Sequence, residues 1–270
     1  EHGYTPILIN PLITNKYTEY LKLVDELGLS HLLVDSSPVI GIVKGRELHV
    51  LDSSKPLPWF LSTDLLTLQE KCRLVFKSLW LIKPLWKLNP YDLASHIHYD
   101  YESMEAWLNR IFGRQLNESL LAAVARGVTL STPDDASVIE FFAGAVAASG
   151  KMQNLKGGME VLPKALAAKL DITLNARVDS VKKAGGGVVV EWRNSAGLVA
   201  EERADACLIT TRFKDAAAMY PPLKKTGASL LRETVYNGCY SLQLFYDRRT
   251  EKEPFIIMVP TTASEEVSTV

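Results

Sequence analysis

Asn154-Leu-Lys-Gly-Gly-Met-Glu-Val-Leu-Pro-Lys-Ala-Leu-Ala-Ala-Lys-Leu-Asp-Ile-Thr-Leu-Asn-Ala-Arg-Val-Asp-Ser-Val181 changes its hydrophobic period once along its length. Gly157 and Gly158 provide a turn without Cβ atoms. Met159, Leu162, Leu166 and Leu170 then recur at helical spacing and form one apolar stripe. Pro163 falls near the first turn, where a missing N–H costs little. From Ile172 the period becomes two: Ile172 and Leu174 alternate with Thr173 and Asn175, and Val178 and Val181 follow. Gly185 to Gly187 supply a tight turn, and Val188 to Val190 return as a strand. The unit reads glycine turn, helix, strand, hairpin.

On its N-terminal side, Gly3 to Asn10 reads as an apolar strand or loop broken by Pro11. Tyr17, Tyr20, Leu21, Val24 and Leu27 make a helical stripe that Gly28 stops. Ile40–Val43 and Glu47–Leu51 flank Lys44-Gly45-Arg46 as a hairpin. The longest helical run is 65–88, where Leu65, Leu68, Cys72, Val75, Phe76, Leu79 and Trp80 share one face and Pro84 is expected to end or kink the helix. Lys71, Arg73, Lys77, Lys83 and Lys87 are interspersed, so the run reads as a core helix with solvated lysines, as a peripheral membrane contact, or as a wall for an apolar substrate. His96 and His98 are spaced for one strand face, and without a third nearby ligand they do not make a metal site. A helix is expected over 102–113, another over 118–125, and a third through Ala148, capped within Thr132-Pro-Asp-Asp-Ala-Ser137. Beyond the central unit, Ala204–Thr211 reads as a buried strand and Phe213–Met219 as a short helix before Pro221-Pro222. A long strand is expected over Val235–Asp247, with Phe255–Val259 as its hairpin partner.

The order Gly-Gly-Met-x-x-Leu-Pro-x-Ala-Leu followed by Asn-x-x-Val resembles the superfamily of flavin-containing amine oxidases, protoporphyrinogen oxidases and phytoene desaturases. The flanks extend the likeness. Glu26 to Leu29 match its Glu-Leu-Gly-Leu helix end, Glu102 to Gly113 its Trp-Leu-x-x-x-Phe-Gly helix, and Ala204 to Thr211 its Ala-Asp strand, with Arg212 where Pro is usual. The resemblance implies an α/β fold with α+β character: a mixed β-sheet with a mainly helical substrate-binding subdomain. It also implies an FAD/NAD(P)-binding-like fold, here lacking the N-terminal dinucleotide motif. On this reading 1–35 and 150–235 are the remnant of the FAD-binding domain, and 36–149 with 236–270 form the substrate-binding domain.

The same likeness implies the site. Gly3 and Tyr4 match the segment that passes the flavin ring, and Gly157 and Gly158 the turn near the substrate domain. The backbone of Val178 matches the adenine contact, and Thr210 or Thr211 a position near the cofactor. From the residues alone, Val178 reads equally as plain core, Thr211 as a helix cap, and the glycines and Tyr4 as ordinary turn and loop. Amine oxidases of the superfamily often carry a Lys on the strand matching Tyr240 to Phe245. Here the positions read Ser241, Leu242 and Gln243, which leans towards dehydrogenation of an apolar substrate. No catalytic residue is nominated, because hydride transfer to a flavin needs positioning and water exclusion more than an acid–base pair.

Composition narrows the alternatives. The 270 residues are 47% hydrophobic and 23% charged, which suits a globular chain with a sizeable core. A net charge of −1 gives no electrostatic case for nucleic-acid binding. Cys72, Cys207 and Cys239 leave one thiol unpaired in any disulfide scheme, and their apolar surroundings predict buried free thiols and a cytoplasmic setting. No G-x-G-x-x-G stands between a strand and a helix, since Gly185–Gly187 precede a strand. Glu1 opens without an initiator Met and Val270 follows an apolar strand without closure, so an excised piece of a longer chain is expected, with FAD bound weakly or not at all by the piece. The rival expectation is a flavin-free module that binds an apolar ligand or a protein in the same cavity. No metal is expected.

Overall fold

A computed structural model describes residues 13–129, 131–236, 238, 240, 256–264, 266 and 267. The chain divides into two compact units, 1–166 with 239–270, and 167–238.

The first unit holds two apolar clusters. The smaller is built on a three-stranded sheet in which β5 (Met152–Leu155) lies between β1 (Ile13–Thr14) and β2 (Leu33–Asp35), antiparallel to both. Between β1 and β2 runs α1 (Thr18–Glu26), which ends as expected, with Gly28 at φ 72° just beyond it. Val24 of α1, Ile13, Leu155 and Leu162 form the buried centre. Leu162 belongs to α8 (Val161–Ala167), whose stripe of Met159, Leu162 and Leu166 packs on that centre. Leu170 does not join it, because the helix ends at Ala167 and Leu170 is exposed. Lys151 Nζ lies 2.7 Å from Asp35 Oδ2 and ties the start of β5 to the end of β2. That hydrogen bond holds the Asp35 carboxyl below the usual carboxylate range.

The larger cluster is helical. The hairpin β3 (Val39–Lys44) and β4 (Glu47–Asp52) forms as the sequence predicts, and β3 also pairs in parallel with β9 (Ile256–Met258), giving a mixed sheet. The expected hairpin partner of β9, 235–247, lies largely outside the described residues. Its first two residues, Val235 and Tyr236, are exposed and not in a strand. Helix α2 (Pro56–Ser62) packs on β4, and α3 (Leu68–Lys87), a 3₁₀ segment (Leu93–Tyr99) and α4 (Met104–Phe112) join the same apolar cluster. They are followed by α5 (Arg114–Leu116), a π turn (Asn117–Leu121), α6 (Ala122–Thr129) and α7 (Val138–Ala148). The caps are in the residues: Ser103 accepts from the Ala106 N–H, and Ser137 and Glu140 form a capping box ahead of α7. The centre of this cluster is aromatic. Phe142 meets Tyr99 edge-on at 5.2 Å and Trp107 at 5.4 Å.

Two expectations are overturned here. The face of α3 expected to be core is the exposed one, and Leu74, Leu81 and Leu85 from the other side join the core instead. Of the two outcomes expected at position 84, an end does not occur there: the helix runs on to Lys87. His96 and His98 sit in the 3₁₀ segment and not on a strand, with His96 buried and its Nδ1 2.7 Å from Ser95 Oγ.

The second unit is a three-stranded antiparallel meander, β6 (Arg177–Ala184), β7 (Gly187–Arg193) and β8 (Val199–Ala204). It is followed by α9 (Phe213–Met219), α10 (Leu223–Thr226) and α11 (Ala228–Glu233). Helix α9 packs on β6, burying Ala216 and Ala217. Two strand expectations shift. The strand begins at Arg177 and not at Ile172, since Ile172 and Leu174 are exposed and Asn175 turns the chain at φ 55°. The strand expected over 204–211 ends at Ala204, and 205–211 is non-strand chain with Leu208 exposed. Cys72 and Cys207, expected to be buried, are free and exposed.

Candidate functional site

Gly157 and Gly158 link β5 to α8 with φ of 95° and 93°, values at which a side chain is strained. The Gly158 N–H donates to Leu155 O at 2.9 Å, so the chain reverses tightly as it leaves the sheet. A Cβ on Gly157 would stand 3.1 Å from Val161 Cγ2, whereas one on Gly158 would meet open space. The turn therefore presents bare backbone at the end of the small sheet. Gly3 and Tyr4 lie outside the described residues.

In the second unit, Val178 is half-buried on β6 opposite Trp192 of β7. The register slips between Val178 and Ser180, so Asp179 is an extra residue in the ladder. A bulge of this kind bends and twists the strand locally. Strand β6 is also an edge of its sheet, and an edge strand keeps outward backbone N–H and C=O groups free of the ladder. Asp179 is held from two sides: Arg193 Nε donates to Oδ2 at 2.7 Å, and Arg177 Nε stands 3.8 Å from Oδ1. Thr210 and Thr211 follow on the exposed approach to α9, where Arg212 and not Thr211 occupies the cap position and makes no side-chain capping bond. Val178 and the two threonines thus belong to the second unit, the first on β6 and the others in the non-helical chain before α9. The glycine pair belongs to the other unit.

The edge and bulge of β6 leave backbone groups that could take a planar group through main-chain contacts. Helix α8, of seven residues, is too short to offer a phosphate site at its N-terminus.

One further cleft, of about 620 Å³, opens beside β4 and α2 in the first unit. Its lining includes Trp59, Ser62 and Thr63 together with His49, whose Nδ1 bonds Asp64 Oδ1 at 3.0 Å. His49 Nε2 lies 3.8 Å from Glu47 Oε2, and the His49 side chain is only 11% exposed. Sequence reasoning could not pair His49 with Asp64, because the two sit on different elements. Among the described residues no three His, Cys, Asp or Glu side chains converge to hold a metal. No described helix is long and apolar enough to cross a membrane.

Comparison with known proteins adds the following. The model of the flavin-containing amine oxidoreductases matches residues 8–269. An oxidoreductase from Methanosarcina mazei superposes with a TM-score of 0.54 at 13% identity, over 83% of this chain and 52% of its own. The CLA-producing fatty acid isomerase from P. acnes gives 0.51 at 11% identity, over 82% and 50%. Cyclohexylamine oxidase from Brevibacterium oxydans gives 0.51 at 14% identity, over 82% and 50%. At these identities the likeness is one of fold, and the chain spans about half the length of these structures. No curated protein sequence matches it.

Proposed function

This chain belongs to the flavin-containing amine oxidoreductase family, and on that basis we propose that the intact protein is an FAD-dependent oxidoreductase that dehydrogenates a hydrophobic small molecule, as desaturases and porphyrinogen oxidases do. The observation that carries the reading is the family match along nearly the whole chain. Bound FAD would supply a hydride acceptor. The chain's own part is binding and exclusion of water. In this scheme Val178 offers backbone beside the bulge of β6 to an adenine, Thr210 or Thr211 takes a position near the cofactor, and Gly157 and Gly158 let backbone approach where a Cβ would intrude or strain. Gly3 and Tyr4 take the ring side in the same scheme.

We propose a division of labour in which 1–35 and 150–235 serve the cofactor and 36–149 with 236–270 serve the substrate; the two apolar clusters support it within the first unit, one joining 13–33 to 155–166 and the other joining 40–146 to 256–258, while 167–238 is a compact unit of its own. Ser241, Leu242 and Gln243, in place of a lysine, favour C–C over amine oxidation. The exposed free thiols of Cys72 and Cys207 favour a reducing, cytoplasmic setting.

The test is anaerobic bleaching of the flavin in the purified full-length protein. A hydroaromatic donor such as a reduced porphyrin is expected to bleach it and a primary amine to leave it oxidised. Bleaching by the amine alone would overturn the substrate class while leaving the cofactor reading intact.

A further inference from the structure

The side of α3 that faces away from the core is its apolar side. Leu68, Phe76 and Trp80 are 78%, 71% and 80% exposed, and Leu79 and Cys72 lie between them. On the neighbouring α2, Leu57 and Leu61 are exposed as well. A groove of about 290 Å³, lined by Phe60, Leu74, Val75, Ser78, Leu79 and Ile82, runs along the same surface. A contiguous apolar patch of this kind marks an interaction site.

Its charges say what covers it. At 3.6 residues per turn, Lys71 falls on one flank of the Leu68–Cys72–Leu79–Phe76 row and Lys77 on the other, with Lys87 at the helix end; Arg73, on the Lys77 side, is turned to the Phe112 carbonyl at 3.1 Å. The one acid of α3, Glu70, is buried in the capping box with Thr67. Asp64, between α2 and α3, is bonded to His49. Lys71 Nζ donates to Leu61 O at 3.0 Å and so ties α3 to the end of α2. An apolar row carrying an aromatic ring and rimmed by cations is what an anionic bilayer surface accepts, with the helix lying in the interface plane. A protein partner would not call for this cationic rim unless it were itself acidic.

We propose that the outward face of α2 and α3 docks on an anionic phospholipid surface. This goes beyond the oxidoreductase reading and does not depend on it, because the surface carries no proposed cofactor residue. An apolar substrate dissolved in a bilayer would then be met where it resides.

The test is co-sedimentation of the full-length protein with phosphatidylglycerol vesicles and, separately, with neutral phosphatidylcholine vesicles. Binding to the anionic vesicles that weakens as salt rises is expected. The double variant Phe76→Ser/Trp80→Ser, at exposed positions that contribute nothing to the core, should no longer sediment. Lys77→Glu/Lys87→Glu should bind roughly thirty-fold more weakly or worse, because each lysine near an anionic surface contributes about five-fold. No sedimentation of the wild type, or sedimentation of Phe76→Ser/Trp80→Ser equal to it, would overturn the proposal. So would a wild-type dimer in sedimentation equilibrium that the same pair of serines dissolves, since a second copy would then be the occupant.

Discussion

Replacing Phe142 by Ala removes the ring on which the helical cluster converges. Phe142 is 1% exposed, so the cavity left behind has no route to solvent except collapse of its walls. Those walls are rings: Tyr99 at 5.2 Å and 83°, Trp107 at 5.4 Å and 84°, and Phe141 at 6.4 Å. Rings pinned from several elements relax poorly, and Phe→Ala at such a site costs about 3–5 kcal/mol. Each lost edge-to-face pair accounts for about 0.5–1.5 kcal/mol of that. Phe142→Leu keeps most of the volume but neither pair, so it should cost about 1–2 kcal/mol. The assay is urea unfolding followed by tryptophan fluorescence, which Trp107 reports from within the cluster. Because the chain has two compact units, the transition assigned to the first is the one to compare. A loss below about 1 kcal/mol for Phe142→Ala, or equal losses for Ala and Leu, would refute the view that the aromatic centre holds the helices together.

Other outcomes follow from single residues. Arg126 is buried, and its Nη1 donates to the carbonyls of Val259, Ser264 and Val267 at 3.2, 2.7 and 3.3 Å; Arg126→Met should cost about 2–3 kcal/mol and speed proteolysis within 259–267, and unchanged proteolysis would contradict this. Gly158→Ala has room but the wrong φ, so it should cost about 1–2 kcal/mol; Gly157→Ala adds the contact with Val161 and should cost more, and equal melting temperatures would contradict the ranking. Burial first, then the charges of Asp134 and Glu118, hold the Glu105 carboxyl above its ordinary range. A raised acid binds its proton more tightly in the folded state, so the stability it contributes is present at low pH and declines as pH rises through its folded pKa. Glu105→Gln should therefore flatten the fall of melting temperature that begins near the ordinary Glu value of about 4.3, and parallel profiles would contradict the sign.

What could be read in advance was local. The cap within Thr132–Ser137 announces α7, and Gly185–Gly187 the β6–β7 hairpin, because caps and turns are written within a few residues. The side on which α3 faces the core was not legible. Its sequence carries leucines on both sides, and periodicity identifies a stripe without saying which of two stripes meets the core. The parallel pairing of β3 with β9 joins residues far apart in the chain, which no local signal encodes. In the candidate site, the glycine pair and Val178 are nominated through their motif. The bulge that gives Val178 its unusual edge was not, since an extra residue in a ladder is visible only against its partner strand. The 204–211 segment has the apolar residues of a buried strand, but its partner β7 begins at Gly187, one residue beyond the last register pair Val188–Ala204, so the chain leaves the sheet at Ala204.

The central claim is that this fold serves a flavin. The most direct measurement is the FAD content of the full-length protein, purified in the dark, denatured, and its released nucleotide quantified against protein. The account predicts close to one FAD per chain, or its recovery when FAD is added to the apoprotein. A protein that carries none and takes up none when FAD is supplied would contradict it.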